Sequence, residues 1–457
     1  MKALFINPPA LNLEKQTREG RCTQSSSFWS LTYPPLSLAQ IAAEISDLTA
    51  EQYGFDFSVQ GVSQDQALLK LDNIHADIAV ISLGTPTVRG DLLFCKKLKM
   101  YKPSIKIILI GTHSSFYSKE ILELHPKIDF VIHGEPERPI IELVKSILRP
   151  QIDQETIKGI SYIHNNELYE NKELHLNTNL SQSKIPRWDL FDLNNYRLPL
   201  RGRKFLLISP QRGCPWKCSF CTAPLYSGQS IRTRTIDSII SEIKYLKATY
   251  NISDFLFWSD TFTANKQFVL ELCEQLIPLN INWVSNSRID TIDQELAHKM
   301  YLSGCWILTF GIESNNDKTL LEIKKGFTHK EIEKGFNAVK SSNILTIAHI
   351  IAGLPGESPR DFINSYKVLS QMGFDFIQPY LASPFPGTAL FRQLKSSRKE
   401  IDVYEEYSQE KTHTQNIEWQ KTFNNIKLKC FFRVKSIVFL ILCAVKSSYV
   451  FRRNKNY

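Results

Sequence analysis

Phe205-Leu206-Leu207-Ile208-Ser209-Pro210-Gln211-Arg212-Gly213-Cys214-Pro215-Trp216-Lys217-Cys218-Ser219-Phe220-Cys221 is an apolar run followed at once by three cysteines spaced C-x3-C-x2-C. The apolar run reads as a β-strand, which puts the cysteines in the loop that leaves it. Three thiolates are one short of a closed site. A structural zinc takes four protein ligands, and an electron-transfer [4Fe–4S] cluster usually takes four cysteines. A cubane held by three keeps one iron open for a substrate or cofactor. The alternative is a zinc knuckle completed by a distant ligand, but no second C-x2-C pair and no nearby histidine supports it.

Downstream, apolar positions Ile236, Ile239, Ile240, Ile243 and Leu246 recur at helical spacing. Strand candidates follow at Phe255–Trp258, Ile281–Val284, Ile307–Phe310, Ile344–Ile351 and Phe376–Tyr380, with helical patterns between them. This series predicts a partial or complete parallel β/α barrel over 201–395, with its active site at the carboxyl ends of the strands.

Upstream, residues 1–150 also alternate strand and helix patterns. Strands are expected at Ala3–Asn7, Ile78–Leu83, Ile105–Ile110 and Phe130–Ile132, and helices at Leu36–Leu48, Ser63–Leu71, Asp91–Tyr101 and Pro139–Leu148. Short strands apolar on both faces belong to a parallel sheet covered by helices, so the fold class is α/β with an N-terminal doubly wound, Rossmann-like domain. Its strands end at Asn7-Pro8-Pro9, Gly84-Thr85-Pro86-Thr87, Gly111-Thr112-His113 and Gly134-Glu135-Pro136. Ligands of such sheets bind at that edge. Residues 151–200 read as a connector with a hairpin turning at Asn165-Asn166. Residues 396–457 read as a basic helical extension.

The chain has 457 residues, enough for about three domains. Its cysteines number nine, and Cys22, Cys95, Cys273, Cys305, Cys430 and Cys443 stand apart from the loop. That is no secreted disulfide framework, and it places the chain in a reducing cytoplasm. The N-terminal residues read as a strand and not as a signal peptide. The net charge of +9 is local: nine Lys and Arg and no acid lie between Lys421 and the end, and the other 46 bases match the 46 acids. A neutral body gives no expectation of nucleic-acid binding. The tail has two readings, a helical cap on the barrel or a peripheral membrane contact through 421–457, with Phe431, Phe432, Ile437 and Leu440 inserted between anionic headgroups. Its apolar run at Ile437–Val445 is well short of the ~20 residues a membrane span needs.

C-x3-C-x2-C behind a first strand, with Phe220 before the last cysteine, resembles the radical S-adenosylmethionine (SAM) superfamily. The resemblance implies a [4Fe–4S] cluster on Cys214, Cys218 and Cys221, with SAM on the open iron. Trp258-Ser259-Asp260-Thr261-Phe262 is similar to the family's Asp-Asp-x-Phe segment, with Ser259 in place of the first Asp. Asn286-Ser287-Arg288, Gly311-Ile312-Glu313-Ser314, Gly353-Leu354-Pro355-Gly356-Glu357 and Pro384-Phe385-Pro386-Gly387-Thr388 follow the later strands. By resemblance Glu313, Arg288, Asp260 and Gly353 contact SAM. The N-terminal motifs, with Tyr33-Pro34-Pro35, look like the cobalamin-binding domain of many radical SAM proteins, which makes Pro8, Thr85, Gly111, Gly134 and Glu135 cobalamin-site residues. The D-x-H-x-x-G motif is absent, so no protein ligand to cobalt is evident. His113 and His133 are read as hydrogen-bonded structure.

The resemblance implies a cobalamin-dependent radical SAM enzyme, foremost a C-methyltransferase that acts on an unactivated carbon through a 5′-deoxyadenosyl radical and methylcobalamin. The other readings are cyclisation or rearrangement of a lipid, tetrapyrrole or natural-product precursor by the same architecture, and a non-catalytic Fe–S or zinc protein. A tRNA methylthiotransferase fits less well, because that family has three further cluster cysteines in its N-terminal domain and here only Cys22 and Cys95 are present. The expected partners are a small-molecule substrate and a flavodoxin or ferredoxin-type reductant.

Overall fold

The computed structural model describes residues 1–13, 16–19, 24–25, 32–198, 202–395, 417–433 and 435–441. Cys22, Cys443, the side chain of Phe431 and the tail beyond 441 lie outside the described residues. The chain divides into two compact units. One holds Met1–Tyr196, Leu225–Ser227 and the segment that starts at Phe385; the other holds Arg197–Pro224, Gly228–Pro384 and the C-terminal helices.

In the first unit the strands are β1 (Lys2–Asn7), β2 (Glu51–Asp56), β3 (Ile78–Ser82), β4 (Lys106–Ile110), β5 (Phe130–Ile132), β6 (Ile160–His164) and β7 (Glu167–Asn171). They form one sheet in the order β2-β1-β3-β4-β5-β6-β7. The first five are parallel, and the last two are an antiparallel hairpin on the β5 edge. Ala3, Leu4, Phe5 and Ile6 are completely buried, as are Ile78 to Ile81. Strands apolar on both faces need helices on both faces, and helices Leu36–Glu44, Val88–Tyr101 and Glu137–Leu148 occur between them. The strand order reverses between β1 and β3, the switch point at which doubly wound sheets open a ligand crevice.

The expected strands are all formed, and β2 adds one that sequence reading passed over. Its residues Glu51-Gln52-Tyr53-Gly54-Phe55-Asp56 mix polar and aromatic side chains at the sheet edge, where among the described residues no second strand pairs with them. The hairpin at Asn165-Asn166 is present, with both residues at positive φ.

The second unit holds β8 (Leu206–Ile208), β9 (Asp254–Phe257), β10 (Asn282–Ser287), β11 (Cys305–Glu313), β12 (Leu345–Ala352) and β13 (Phe376–Leu381). They pair in sequence order, all parallel, as a six-stranded sheet. Helices connect successive strands and start at strong caps. Thr328 with Glu331 and Ser358 with Asp361 each form a capping box, so each loop hands over to its helix at a fixed residue. The connectivity is that of an open β/α barrel, whose carboxyl ends gather at one rim.

Helix Ile417–Phe432 packs on this unit. Trp419 lies 6.3 Å from Phe362 and, just beyond the helix, Phe439 lies 5.6 Å from Phe376, centroid to centroid. Ile426 and Cys430 are buried. Arg433 donates to the Phe374 carbonyl, and Lys435 donates to the Gly373 carbonyl at 2.8 Å. Among the described residues, no helix is long and apolar enough to cross a membrane.

Candidate functional site

The cysteine loop leaves β8 and is tied down from three directions. From the second strand end, Asp260 accepts the Gly213 N–H at 2.9 Å, and the Gln211 amide donates to the Thr261 and Phe262 carbonyls at 2.6 and 2.9 Å. From the segment after the loop, the Gly228 carbonyl accepts the Cys214 N–H at 3.1 Å. From the turn that precedes Thr328, the Ile323 carbonyl accepts the Ser219 N–H at 2.9 Å. Gly213 is obligatory: its φ is +92°, and a Cβ there would sit 2.1 Å from the Ser230 carbonyl oxygen.

Cys214 is buried, while Cys218 and Cys221 are half-buried. The Cys221 N–H donates to the Cys218 carbonyl at 3.1 Å, and the Ala223 N–H points at the Cys221 sulfur from 3.5 Å. Burial pushes the Cys218 thiol up, and the Lys325 and Arg288 cations oppose that shift. Among the described residues, no three His, Cys, Asp or Glu side chains close into a metal cage. The donors and their surroundings nevertheless suit an iron–sulfur cluster: three thiols on one loop, an N–H aimed at sulfur, and two cations to offset anionic charge. Among the described residues, the hydroxyls of Ser219, Thr222 and Ser259 are buried around this loop without a hydrogen-bond partner. Ser259 stands where the sequence comparison expected an Asp.

Arg288 is held by several contacts within the protein. Its guanidinium is 4.3 Å from the Trp216 ring centroid and 4.9 Å from that of Phe327. It forks onto Asp290 with two 3.0 Å bonds and donates to the Lys325 carbonyl at 2.7 Å. Glu313 ends β11 at φ +69° and pairs with the buried Lys325 ammonium at 2.8 Å. Gly353 donates its N–H to Glu357 at 3.2 Å, and Ser314 donates its hydroxyl to the same carboxylate at 3.0 Å. Burial pushes Glu357 up to about 8. Asp260, Arg288, Glu313 and Gly353 thus all stand at carboxyl ends of strands in the unit that holds the cysteines.

One face of the second sheet, away from the fully buried positions, bears residues that sequence reading missed. Asn286 pairs in register with Thr309, and His349 with Gly311 and Gln378. These residues and Tyr380 are half-buried, whereas Ala348 and Ile350, which alternate with His349, are buried. The His349 ring lies 5.2 Å from that of Tyr380, edge to face. Burial drives His349 down to about 4, so its imidazole is neutral at pH 7. A single ionisable residue in an otherwise uncharged strand, Thr346-Ile347-Ala348-His349-Ile350, was the available signal.

In the first unit, Pro8, Thr85, Gly111, Gly134 and Glu135 all lie at the carboxyl edge of the sheet. Thr85 opens a short helical turn after β3, and its hydroxyl is 3.3 Å from His113 Nδ1. Gly111 has φ +122°, and a Cβ there would lie 2.5 Å from the Leu83 carbonyl oxygen. Gly134 (φ +63°) donates its N–H to Ser115 at 3.2 Å, and Glu135 accepts the Asn177 N–H at 2.9 Å. Both His133 ring nitrogens are engaged, with the Ser115 carbonyl at 3.1 Å and the Ser161 hydroxyl at 2.7 Å. The same edge holds a buried ion pair. Arg18 forks onto Asp91 at 2.8 and 2.7 Å, and Asp91 also accepts the Gly84 N–H and the Thr87 hydroxyl.

The sequence pattern of the Radical SAM superfamily matches residues 208–369, from the end of β8 into the helix after β12. Those residues are a radical SAM domain. The full chain is 27% identical over 397 residues to an uncharacterized methyltransferase of Pyrococcus horikoshii, covering 86% of this chain and 82% of that one. It is 24% identical over 383 residues to the anaerobic magnesium-protoporphyrin IX monomethyl ester cyclase of Cereibacter sphaeroides, covering 82% of this chain and 62% of the cyclase. Among solved structures it resembles the radical SAM methyltransferase TsrM of Kitasatospora setae with cobalamin and a [4Fe–4S] cluster bound. The TM-score is 0.68 at 16% identity, over 87% of this chain and 75% of TsrM. That likeness is one of fold: the radical SAM domain and the Rossmann-like sheet before it recur together in TsrM.

Proposed function

We propose that the protein is a cobalamin-dependent radical SAM enzyme, and within that class a C-methyltransferase that acts on an unactivated carbon of a small molecule. The observation that carries this reading is the three-thiol loop at the first strand end of a radical SAM domain, in a chain that shares the two-domain fold of a methyltransferase holding both cofactors. Cys214, Cys218 and Cys221 would hold the cluster. Asp260, Arg288, Glu313 and Gly353 would border SAM, and Pro8, Thr85, Gly111, Gly134 and Glu135 the cobalamin. When bound, the cluster would supply the electron that opens SAM to a radical, and the cobalamin would supply the methyl group.

The chain's own residues do the rest. Asp260 and Ile323 hold the loop backbone so that three thiols leave one strand end together. Trp216 and Phe327 both pack near Arg288 beside the loop. The His349 imidazole, kept neutral, offers a hydrogen-bonding edge on a face that also bears the polar Asn286, Thr309 and Gln378 among Ile347, Ile351 and Tyr380. Such a face of apolar groups with placed polar points suits a small organic substrate.

The test needs no knowledge of the substrate. Protein reconstituted with iron, sulfide and cobalamin is incubated anaerobically with titanium(III) citrate as reductant and SAM labelled in its methyl group, and the extracted cobalamin is analysed by mass spectrometry. Labelled methyl on cobalamin supports methyl transfer. Its absence, with SAM still cleaved to 5′-deoxyadenosine, favours the second reading, an oxidative cyclisation or rearrangement of the kind the cyclase relative is named for.

A flavodoxin or ferredoxin-type protein would deliver the electron in a reducing cytoplasm. We also assign the C-terminal segment a peripheral contact with anionic membrane. Leu428, Phe432, Ile437, Val438 and Ile441 are exposed large apolar residues, in a tail that carries bases and no acid. Flotation with vesicles containing phosphatidylglycerol should retain the protein and vesicles of phosphatidylcholine alone should not; equal behaviour removes the assignment.

A further inference from the structure

The turn Ile323-Lys324-Lys325-Gly326-Phe327 matches no motif in the sequence comparison, yet the cysteine loop rests on it. Ile323 accepts the Ser219 N–H, Lys325 Nζ lies 5.9 Å from the Phe220 ring centroid, and the Phe327 ring centroid lies 4.9 Å from the Arg288 guanidinium. The turn is held in shape by Lys324 and Gly326, both at positive φ, and by the Lys325 N–H, which donates to the Leu320 carbonyl at 2.9 Å.

Lys325 is an unusual residue to find here, only 5% exposed. A buried ammonium needs a partner, and Lys325 has Glu313 at 2.8 Å, with the Phe327 ring 5.5 Å away. Gly311 makes room for the pair: a Cβ there would lie 2.5 Å from Glu313 Oε1 and 3.2 Å from Lys325 Nζ. Glu313 itself sits at φ +69°, a backbone state that a non-glycine residue keeps only where its surroundings hold it. The Lys325 contact is a hold of that kind.

The geometry points to Lys325 as a positioning residue of the cluster site: its ammonium fixes Glu313 at the end of β11 and supplies fixed positive charge beside Phe220, within the cysteine loop. This rests on the proposed radical SAM reading. A cation buried near an iron–sulfur cluster stabilises the reduced, more negative state and raises its midpoint potential, and a buried anion does the opposite. Lys325 and Glu313 therefore set the potential in opposite senses from one ion pair.

The experiment uses the full chain, reconstituted anaerobically, with the midpoint potential followed by electron paramagnetic resonance in the absence of substrate. Lys325→Met should shift the potential downward, Glu313→Gln should shift it upward, and Lys325→Arg should stay near wild type. If Lys325→Met folds, by circular dichroism, but takes up little iron while Lys325→Arg takes up the wild-type amount, the charge is again what the site requires. Unchanged potentials in Lys325→Met and Glu313→Gln at full iron content would overturn the inference, as would an Arg variant that fails as completely as the Met variant. Wild-type protein that binds no [4Fe–4S] cluster would instead strike the parent reading, a separate result.

Discussion

The guanidinium of Arg288 lies 4.3 Å from the centre of the Trp216 ring, which joins the loop of the three cysteines to the end of the third barrel strand. Trp216 sits between Cys214 and Cys218, so whatever steadies the indole steadies the thiols. The Phe327 ring is a second aromatic neighbour of the same guanidinium, 4.9 Å away.

Replacing Trp216 by Ala should therefore loosen the loop without unfolding the barrel. A cation–π contact of this kind contributes about 0.5–2 kcal/mol. The expected result is a lower iron content after reconstitution, with a thermal midpoint within a few degrees of wild type. Trp216→Phe should recover most of the iron. Iron and sulfide assays beside circular dichroism separate the two effects.

Gly213→Ala tests the backbone of the same loop. A Cβ meets the Ser230 carbonyl at 2.1 Å, and φ is positive, so the loop must move. A loss of about 1–3 kcal/mol in urea unfolding is expected, together with impaired cluster assembly. An Ala variant with unchanged stability and unchanged iron would show that the loop is not held as described.

In the first unit, Asp91→Asn breaks a buried, bidentate pair with Arg18 and weakens the bonds from Gly84 and Thr87. Removing one partner of a buried ion pair costs about 3–5 kcal/mol. The unfolding transition of this unit should move to markedly lower denaturant, and Asp91→Glu should restore only part of it.

Glu357 gives a pH dependence with a definite sign. Burial raises its folded pKa to about 8, against 4.5 for the free side chain. The folded state thus holds the proton more tightly than the unfolded one. The stability this contributes is fully present below pH 4.5 and is lost as pH rises through 8. Glu357→Gln should flatten the stability-against-pH curve between those limits, and should gain relative to wild type above pH 8. Parallel curves for the two proteins would contradict the assignment.

Most of the architecture is legible in the chain because its strands are apolar on both faces and its turns carry glycine at positions such as Gly111 and Gly353, where φ is positive. The edge strand Glu51–Asp56 was not legible, since an edge leaves polar side chains tolerable and blurs the pattern. In the site, the cysteines announce themselves by spacing. Lys325 does not: a lysine in a polar turn reads as solvated, and only the fold reveals that Glu313 and Phe327 enclose it. His349 hides for the opposite reason, as the single ionisable residue in a strand read as core. Arg288 was legible as a site residue, but its contacts with Trp216 and Phe327 join residues far apart in sequence.

The central claim is that Cys214, Cys218 and Cys221 hold a cluster that opens SAM. The most direct measurement is iron, sulfide and SAM cleavage in anaerobically reconstituted protein, wild type beside Cys218→Ala, with dithionite as reductant. The account predicts about four iron and four sulfide per wild-type chain, 5′-deoxyadenosine formed on reduction, and loss of that product in the variant. Wild-type protein that binds one zinc and no sulfide, or a Cys218→Ala variant that still cleaves SAM, would contradict it.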